Sequence, residues 1–187
     1  MKRIHRIEPG QDVSAVAPLF GIPTTEAPTS PKQFQVVVVS ANLAVRLNEQ
    51  WHSRLPLFGG CPRVSYALTH NERYYGVAIW SSPVARLLPQ LEWLELRRMA
   101  LAPEVPYNTA SWFLARMERL IPVAFPDVVR LISYQDTEAH QGTIYKASNW
   151  VNAHTGQGQE WTRPSRRSLP QQSAAPKIRW EKELNRR

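Results

Sequence analysis

Residues 92–101 read Glu92-Trp93-Leu94-Glu95-Leu96-Arg97-Arg98-Met99-Ala100-Leu101, and this run constrains the fold more than any other. As a strand it places Glu92, Leu94, Leu96, Arg98 and Ala100 on one face and Trp93, Glu95, Arg97, Met99 and Leu101 on the other. Both faces are largely apolar, so the strand belongs inside a sheet. Arg98 then stands in line with Leu94, Leu96 and Ala100. An unpaired charge there is costly, so Arg98 requires a carboxylate or a bound anion.

The neighbours of this strand can be read along the chain. Phe34–Val39 is a β-branched strand; Ser40 caps a helix with Leu43, Leu47 and Trp51 at helical spacing, and Pro56 and Gly59-Gly60 close it. Arg63–Thr69 and Tyr74–Trp80 form a hairpin. After the rigid turn Ala102–Tyr107 comes a helix with Ala110, Leu114, Met117 and Ile121 on one stripe, which Pro122 ends. Val128–Ile132 is a buried strand. A polar turn, a short helix carrying Tyr145 and a further extended segment from Trp150 follow it.

Three regions are expected: an arm at 1–33 with a short strand near Arg3–Ile7, a domain at 34–162 whose last strand lies near Glu160–Thr162, and a basic tail at 163–187. Within the tail, residues 170–176 read as a flexible linker, and Lys177–Trp180 adds an edge strand or docks its tryptophan. No internal repeat is visible.

Chemistry-bearing side chains concentrate in Ser133–Trp150. Asp136, His140 and Tyr145 follow the carboxyl end of a strand, where open α/β sheets place their sites. The plainer alternative is that Tyr145 packs in a core and Asp136 caps the short helix. Asn108, Thr109, Ala110 and Ser111 open the longer helix just after a strand, and free N–H groups there can hold an anion. The plainer reading of any one of these residues is an ordinary N-cap by Asn108 or Thr109.

Charge is unevenly spread. Residues 1–150 carry 15 basic and 12 acidic side chains, whereas residues 151–187 carry 8 and 3. A basic tail behind a nearly balanced domain points to a polyanionic partner, most simply nucleic acid, with Arg163, Arg166, Arg167, Lys177 and Arg179 as candidate contacts. A merely solvated tail is the alternative. The single cysteine, Cys61, excludes an intrachain disulfide and a cysteine-based zinc cluster. No apolar run spans a bilayer and the first residues lack a signal-peptide core, so a soluble, cytoplasmic protein with no membrane partner is expected.

The order of elements resembles the acyltransferase fold of the GNAT superfamily: a mixed, mostly antiparallel α/β (α+β) sheet flanked by helices, with a central strand splayed beside a helix N-terminus. In that superfamily the helix start holds the donor's pyrophosphate. A tyrosine in a pattern like Ile144-Tyr145-x-x-x-Asn149-Trp150 often serves as general acid. Its glycine-bearing donor loop is replaced here by Pro106-Tyr107-Asn108-Thr109-Ala110-Ser111.

A narrower resemblance covers about Trp51 to Val151. Leu94-Glu95-Leu96-Arg97-Arg98, Asn108-Thr109-Ala110-Ser111, Ser133-Tyr134-Gln135-Asp136 and His140-x-Gly142-Thr143-Ile144-Tyr145 together resemble the Mom family of phage DNA-modifying proteins. That family places a methylcarbamoyl (carbamoylmethyl) group on the exocyclic amine of adenine in DNA and so protects phage DNA from restriction.

The resemblance implies catalytic roles for Arg98, Ser111, Asp136, Tyr145 and His52, with Arg98, Asn108, Thr109 and Ser111 toward the donor. Where the family has a histidine–tyrosine pair, this chain has Trp51-His52-Ser53-Arg54. The resemblance also implies an acyl-type donor (a coenzyme A thioester being one form), iron held through His52 or Asp136, double-stranded DNA as partner and the host cytoplasm as location. A homodimer is left open.

The chemistry is coherent with those residues. An exocyclic aromatic amine is a poor nucleophile, so Asp136 or His52 takes its proton while Tyr145 gives one to the leaving group. Arg98 and the helix start near Ser111 hold negative charge. An adenine in a duplex must be flipped out or locally melted, with Trp51, Tyr134 or Trp150 to stack on it, although each also fits a core. Two other readings stand beside this one: a generic GNAT-type N-acyltransferase acting on a small amine or a protein, and a non-catalytic nucleic-acid-binding module.

Overall fold

The computed structural model describes residues 27–157 and 175–184. The strands expected near Arg3–Ile7 and Glu160–Thr162 lie outside these residues, as do Arg163, Arg166 and Arg167. Ten principal elements are described: β1 (Gln35–Val38), α1 (Ala41–Trp51), β2 (Val64–His70), β3 (Arg73–Ser81), β4 (Trp93–Leu101), α2 (Thr109–Ala124), β5 (Arg130–Asp136), α3 (Thr143–Ala147), β6 (Val151–Gly156) and β7 (Lys177–Glu183). No helix among the described residues is long and apolar enough to cross a membrane.

Local chemistry explains most boundaries. The Ser40 hydroxyl accepts from the Leu43 amide and starts α1, while the Asn48 side chain donates to the Leu55 and Pro56 carbonyls and ties down the loop that follows it. The β2–β3 connection is tighter than the sequence implies: Asn71 and Glu72 both take positive φ, the geometry of a two-residue hairpin turn. Pro122 does not end α2. The helix runs on to Ala124 and closes with the Phe125 amide on the Ile121 carbonyl, because a proline in the last turn removes only one hydrogen bond.

The strands form one sheet in the order β1-β2-β3-β4-β5-β7-β6. Only the β4–β5 pair is parallel among these neighbours, so the sheet is mixed and mostly antiparallel, as expected. One face buries Leu43, Ala44 and Leu47 of α1 against Ala67, Val77, Ile79 and Ala100. The other buries Phe113, Leu114, Met117 and Ile121 of α2 with Trp80, Leu94, Leu131, Tyr145 and Trp180.

Two expectations are corrected here. Lys177–Glu183 is neither an edge strand nor part of a detached tail; β7 inserts between β5 and β6 and pairs along the whole of β5. Its Trp180 fills the core on the α2 side, so burial holds this segment in the sheet despite its charge. The folded domain therefore reaches past residue 162, and Lys177 and Arg179 are sheet residues.

The second correction concerns β4. Its pairing with β3 shifts between Ile79 and Trp80, so that Ile79 faces Arg98 while Trp80 faces Leu96, and Arg97 is the extra residue of a β-bulge. Strict alternation breaks there. Leu94 and Leu96 join the α2-side core, whereas Ala100 lies in the α1-side core and Arg98 sits over the ring of Phe58, which packs against that second core.

Candidate active site

The bulge coincides with a parting of strands. The β4–β5 ladder runs from Trp93–Arg130 to Leu96–Ser133 and stops, although both strands continue. A cleft of about 980 Å³ occupies the gap, lined by His52, Arg98, Ala110, Asp136, His140 and Tyr145, with Glu95, Ser133 and Tyr134 among its other walls. Four of the five side chains given catalytic roles in the sequence, all but Ser111, thus line one cleft.

At the apex of the gap, the Tyr145 hydroxyl lies 2.8 Å from Oγ of Ser133, which donates to the Leu96 carbonyl at 3.2 Å. Tyr145 is buried, stacked on Trp180 with ring centroids 5.5 Å apart and tilted against Trp150 at 5.6 Å. Burial raises its pKa, and the bond to Ser133 only partly opposes this, so the phenol keeps its proton. The plain packing role and the chemical role therefore coexist: the ring is core and the hydroxyl is site.

Arg98 is half-buried and makes no ion pair among the described residues. One guanidinium nitrogen donates to the Arg97 carbonyl at 2.7 Å, another reaches the Leu57 carbonyl at 3.4 Å, and Nε has no partner. Burial, then the charge of Arg97, lowers its pKa, opposed by Glu95. The neighbouring carboxylate is already taken, since Glu95 accepts from the Val84 amide at 2.8 Å and pairs with Arg97 at 3.1 Å. Glu95 is thus not a free carboxylate for Arg98, whose guanidinium can take an anion bound in the cleft.

His52 caps the end of α1, and its Nδ1 accepts the Leu55 amide at 3.1 Å and the Arg54 amide at 3.4 Å. With that lone pair occupied, the neutral ring carries its proton on Nε2. Burial, then Arg98 and His140, lower its pKa against a backbone hydrogen bond that raises it, which favours the neutral ring with its Nε2–H available as a donor. Asp136, at the end of β5, accepts the Glu138 amide at 3.1 Å and lies 3.7 Å from Arg54. It braces the turn before α3, whose own N-cap is Gly142.

The start of α2 is placed less directly. Asn108 is the N-cap in a left-handed conformation with no side-chain capping bond, Thr109 is buried with its hydroxyl on the Pro106 carbonyl, and Ser111 donates to the Asn108 carbonyl. Ala110 is the residue of this turn that lines the cleft. The Thr109 amide bonds the Pro106 carbonyl at 3.3 Å, so the amides of Ala110 and Ser111, with no intrahelical carbonyl four residues back, are the ones that fit the anionic part of a donor through backbone rather than side chains. Iron finds no such fit: among the described residues no group of three His, Cys, Asp or Glu side chains could hold a metal ion, and Nδ1 of His52 is engaged.

Of the aromatic rings proposed for stacking, Trp51 packs against the core and Trp150 is buried with its indole donating to Glu118. Tyr134, more than a third exposed, alone of the three opens into the cleft. Ser133 and Gln135, quoted in the sequence only as parts of the Ser133–Asp136 motif and given no role there, complete the site. Gln135 is buried, accepts the Trp180 indole at 2.7 Å and donates to the His140 carbonyl, so one amide ties β5, β7 and the turn before α3 together. The small polar Ser133 closing an apolar strand was a usable signal; the Trp180 contact, 45 residues distant from Gln135, was not.

A model of the Mom protein family matches residues 33–183. No curated protein matches the chain. Among solved structures, the ribosomal-protein-S18-alanine N-acetyltransferase from Escherichia coli superposes with a TM-score of 0.55 at 14% identity, over 81% of this chain and 94% of that one. The spermidine N-acetyltransferase from Vibrio cholerae, in complex with CoA and spermine, gives 0.57 at 8%, over 83% and 98%. A GNAT family acetyltransferase from Elizabethkingia anophelis with acetyl-CoA bound gives 0.53 at 12%, over 81% and 99%. These likenesses identify a GNAT-like fold.

Proposed function

This chain belongs to the Mom protein family, and from that premise we propose that it is a transferase that adds a methylcarbamoyl (carbamoylmethyl) group to the exocyclic amine of adenine in double-stranded DNA. Its role is then protection of phage DNA from restriction in the host cytoplasm. The observation that carries the reading is the convergence of Arg98, Asp136 and Tyr145 on the cleft between the parted strands.

The residues divide the work. Arg98, a half-buried cation whose buried Nε has no partner, holds the negative part of the donor or a developing oxyanion, helped by the Nε2–H of His52 and the first amides of α2. A coenzyme A thioester would supply an activated acyl carbon with a good leaving sulfur, which accounts for acyl transfer to an amine; a carbamoylmethyl group, joined through its CH2, requires a donor whose leaving group sits on that methylene. Asp136, on the cleft wall, takes the proton the amine loses as its new bond forms. Tyr145 gives its proton to the leaving group. The Ser133 hydroxyl can turn from the Leu96 carbonyl to donate to the resulting phenolate, lowering the cost of charge in a buried place.

A second reading has one specific support. The fold neighbours that hold CoA or acetyl-CoA favour a general N-acyltransferase acting on a small amine or a protein. Nucleoside mass spectrometry separates the two. DNA from cells expressing this chain contains a deoxyadenosine heavier by one carbamoylmethyl group under the first reading, and only unmodified nucleosides under the second.

A further inference from the structure

Reaching the amine of a paired adenine requires unstacking it, and something must hold the gap open. The β3–β4 connection has the form for that task. Pro83 is buried and anchors it, the Val84 amide is held by Glu95 at 2.8 Å, and the Leu88 amide turns back to the Ala85 carbonyl at 3.0 Å. Gln90 donates to the Ala85 and Leu88 carbonyls at 3.0 and 2.9 Å, and Arg63 fixes the far end through the Leu91 carbonyl at 3.0 Å. Such bonding makes a stiff loop, not a slack one.

At the tip of this stiff loop, Leu87 is 100% exposed, with Val84 and Leu91 exposed beside it at 59% and 76%. Three exposed aliphatic side chains in one short loop are costly to keep in water and mark a contact surface. The loop is continuous with the site, because Val84 and Ala85 line the same cleft as Arg98 and Tyr145. Cations accompany it: Arg86 is exposed next to Leu87, and Arg54 and Lys177 stand at the cleft. An apolar tip beside cations that can take phosphates fits a duplex better than an apolar protein partner, and aliphatic wedges of this kind enter base steps.

Resting on the proposed DNA modification, we infer that Leu87 is a wedge that enters the base stack of the duplex and fills the space left when the target adenine turns into the cleft. No bond is made or broken in this step. The wedge lowers the cost of the open state, and Tyr134 is the exposed ring on the cleft wall available to stack on the displaced base.

The test uses the full chain and duplexes carrying 2-aminopurine in place of successive adenines, with binding followed by anisotropy. The intact protein should raise 2-aminopurine fluorescence. Leu87→Ala should bind within about threefold of it yet lose about fivefold or more of that rise, and Leu87→Met should restore it. In expressing cells, Leu87→Ala should cut modified deoxyadenosine about tenfold or more. An undiminished fluorescence rise in Leu87→Ala, or a loss of DNA affinity that accounts for the whole defect, overturns the wedge. So does modification of DNA by an intact protein that never unstacks the probe, and in that case the modification reading itself survives. If the intact protein modifies no DNA, that reading fails and the wedge falls with it.

Discussion

The hydroxyl of Tyr145 and Oγ of Ser133 lie 2.8 Å apart at the last β4–β5 pair before the strands separate, joining the short helix to the sheet at the floor of the cleft. Tyr145→Phe keeps both ring contacts and removes only this oxygen. Stability should change by about 1 kcal/mol or less, the usual worth of one hydrogen bond. Modification should fall by roughly 10²–10⁴-fold, the loss of a general acid. Thermal melts beside nucleoside analysis check both, and a loss of activity that tracks a loss of stability would return Tyr145 to packing alone.

Asp136→Asn separates base from brace. The amide oxygen can still accept the Glu138 amide, and the Arg54 contact is long and half in solvent, so the fold should persist. Activity should nonetheless drop by about 10²-fold or more, because an amide takes no proton. Normal modification by this variant would remove Asp136 from the chemistry.

His52 offers a measurement independent of activity. Its pKa is lowered from 6.5 by burial, Arg98 and His140, so between its folded value and 6.5 the unfolded chain binds a proton that the folded chain refuses. His52's contribution to stability therefore increases as pH rises through this window and is lost on acidification. NMR titration should place His52 below 6.5, and Arg98→Met should move it upward. A value at or above 6.5 in the intact protein would contradict the described environment.

Gly142 is the tightest point behind the site. Its φ is +70°, and an added Cβ would meet the Gln135 side chain and lie 2.9 Å from Trp180. Gly142→Ala should destabilise by about 1 kcal/mol or more, since both the backbone and the space refuse it. A melting temperature unchanged from the intact protein would show that the Gln135–Trp180 bond does not hold this turn.

The basic segment predicts a salt effect. Replacing Arg163, Arg166 and Arg167 by Gln should lower the slope of log affinity for DNA against log salt by about 2–3 units while the protein stays folded. Truncation before residue 175 should unfold it instead, because β7 lies inside the sheet. Equal slopes for the triple variant and the intact chain would remove these arginines from the DNA contact.

Much of this architecture was legible in the sequence because it is local. Ser40 announces α1 by capping, the hairpin strands show β-branched runs, and Asp136, His140 and Tyr145 sit within ten residues of one another. What was not legible depends on register and distance. The β-bulge at Arg97 turns Arg98 to the α1 side, and no periodicity within β4 alone reveals that shift. Charged Lys177–Glu183 resembles a solvated tail until Trp180 finds Gln135 and Tyr145 across the chain. The tautomer of His52 was not legible either, because it is set by the Leu55 and Arg54 amides that Nδ1 accepts.

Nucleoside mass spectrometry of DNA from cells expressing the intact chain, with Tyr145→Phe alongside, tests the central claim most directly. A deoxyadenosine heavier by one carbamoylmethyl group, abundant with the intact chain and reduced by about 10²-fold or more in the folded variant, is the predicted result. Unmodified deoxyadenosine in the presence of abundant folded intact protein would contradict it.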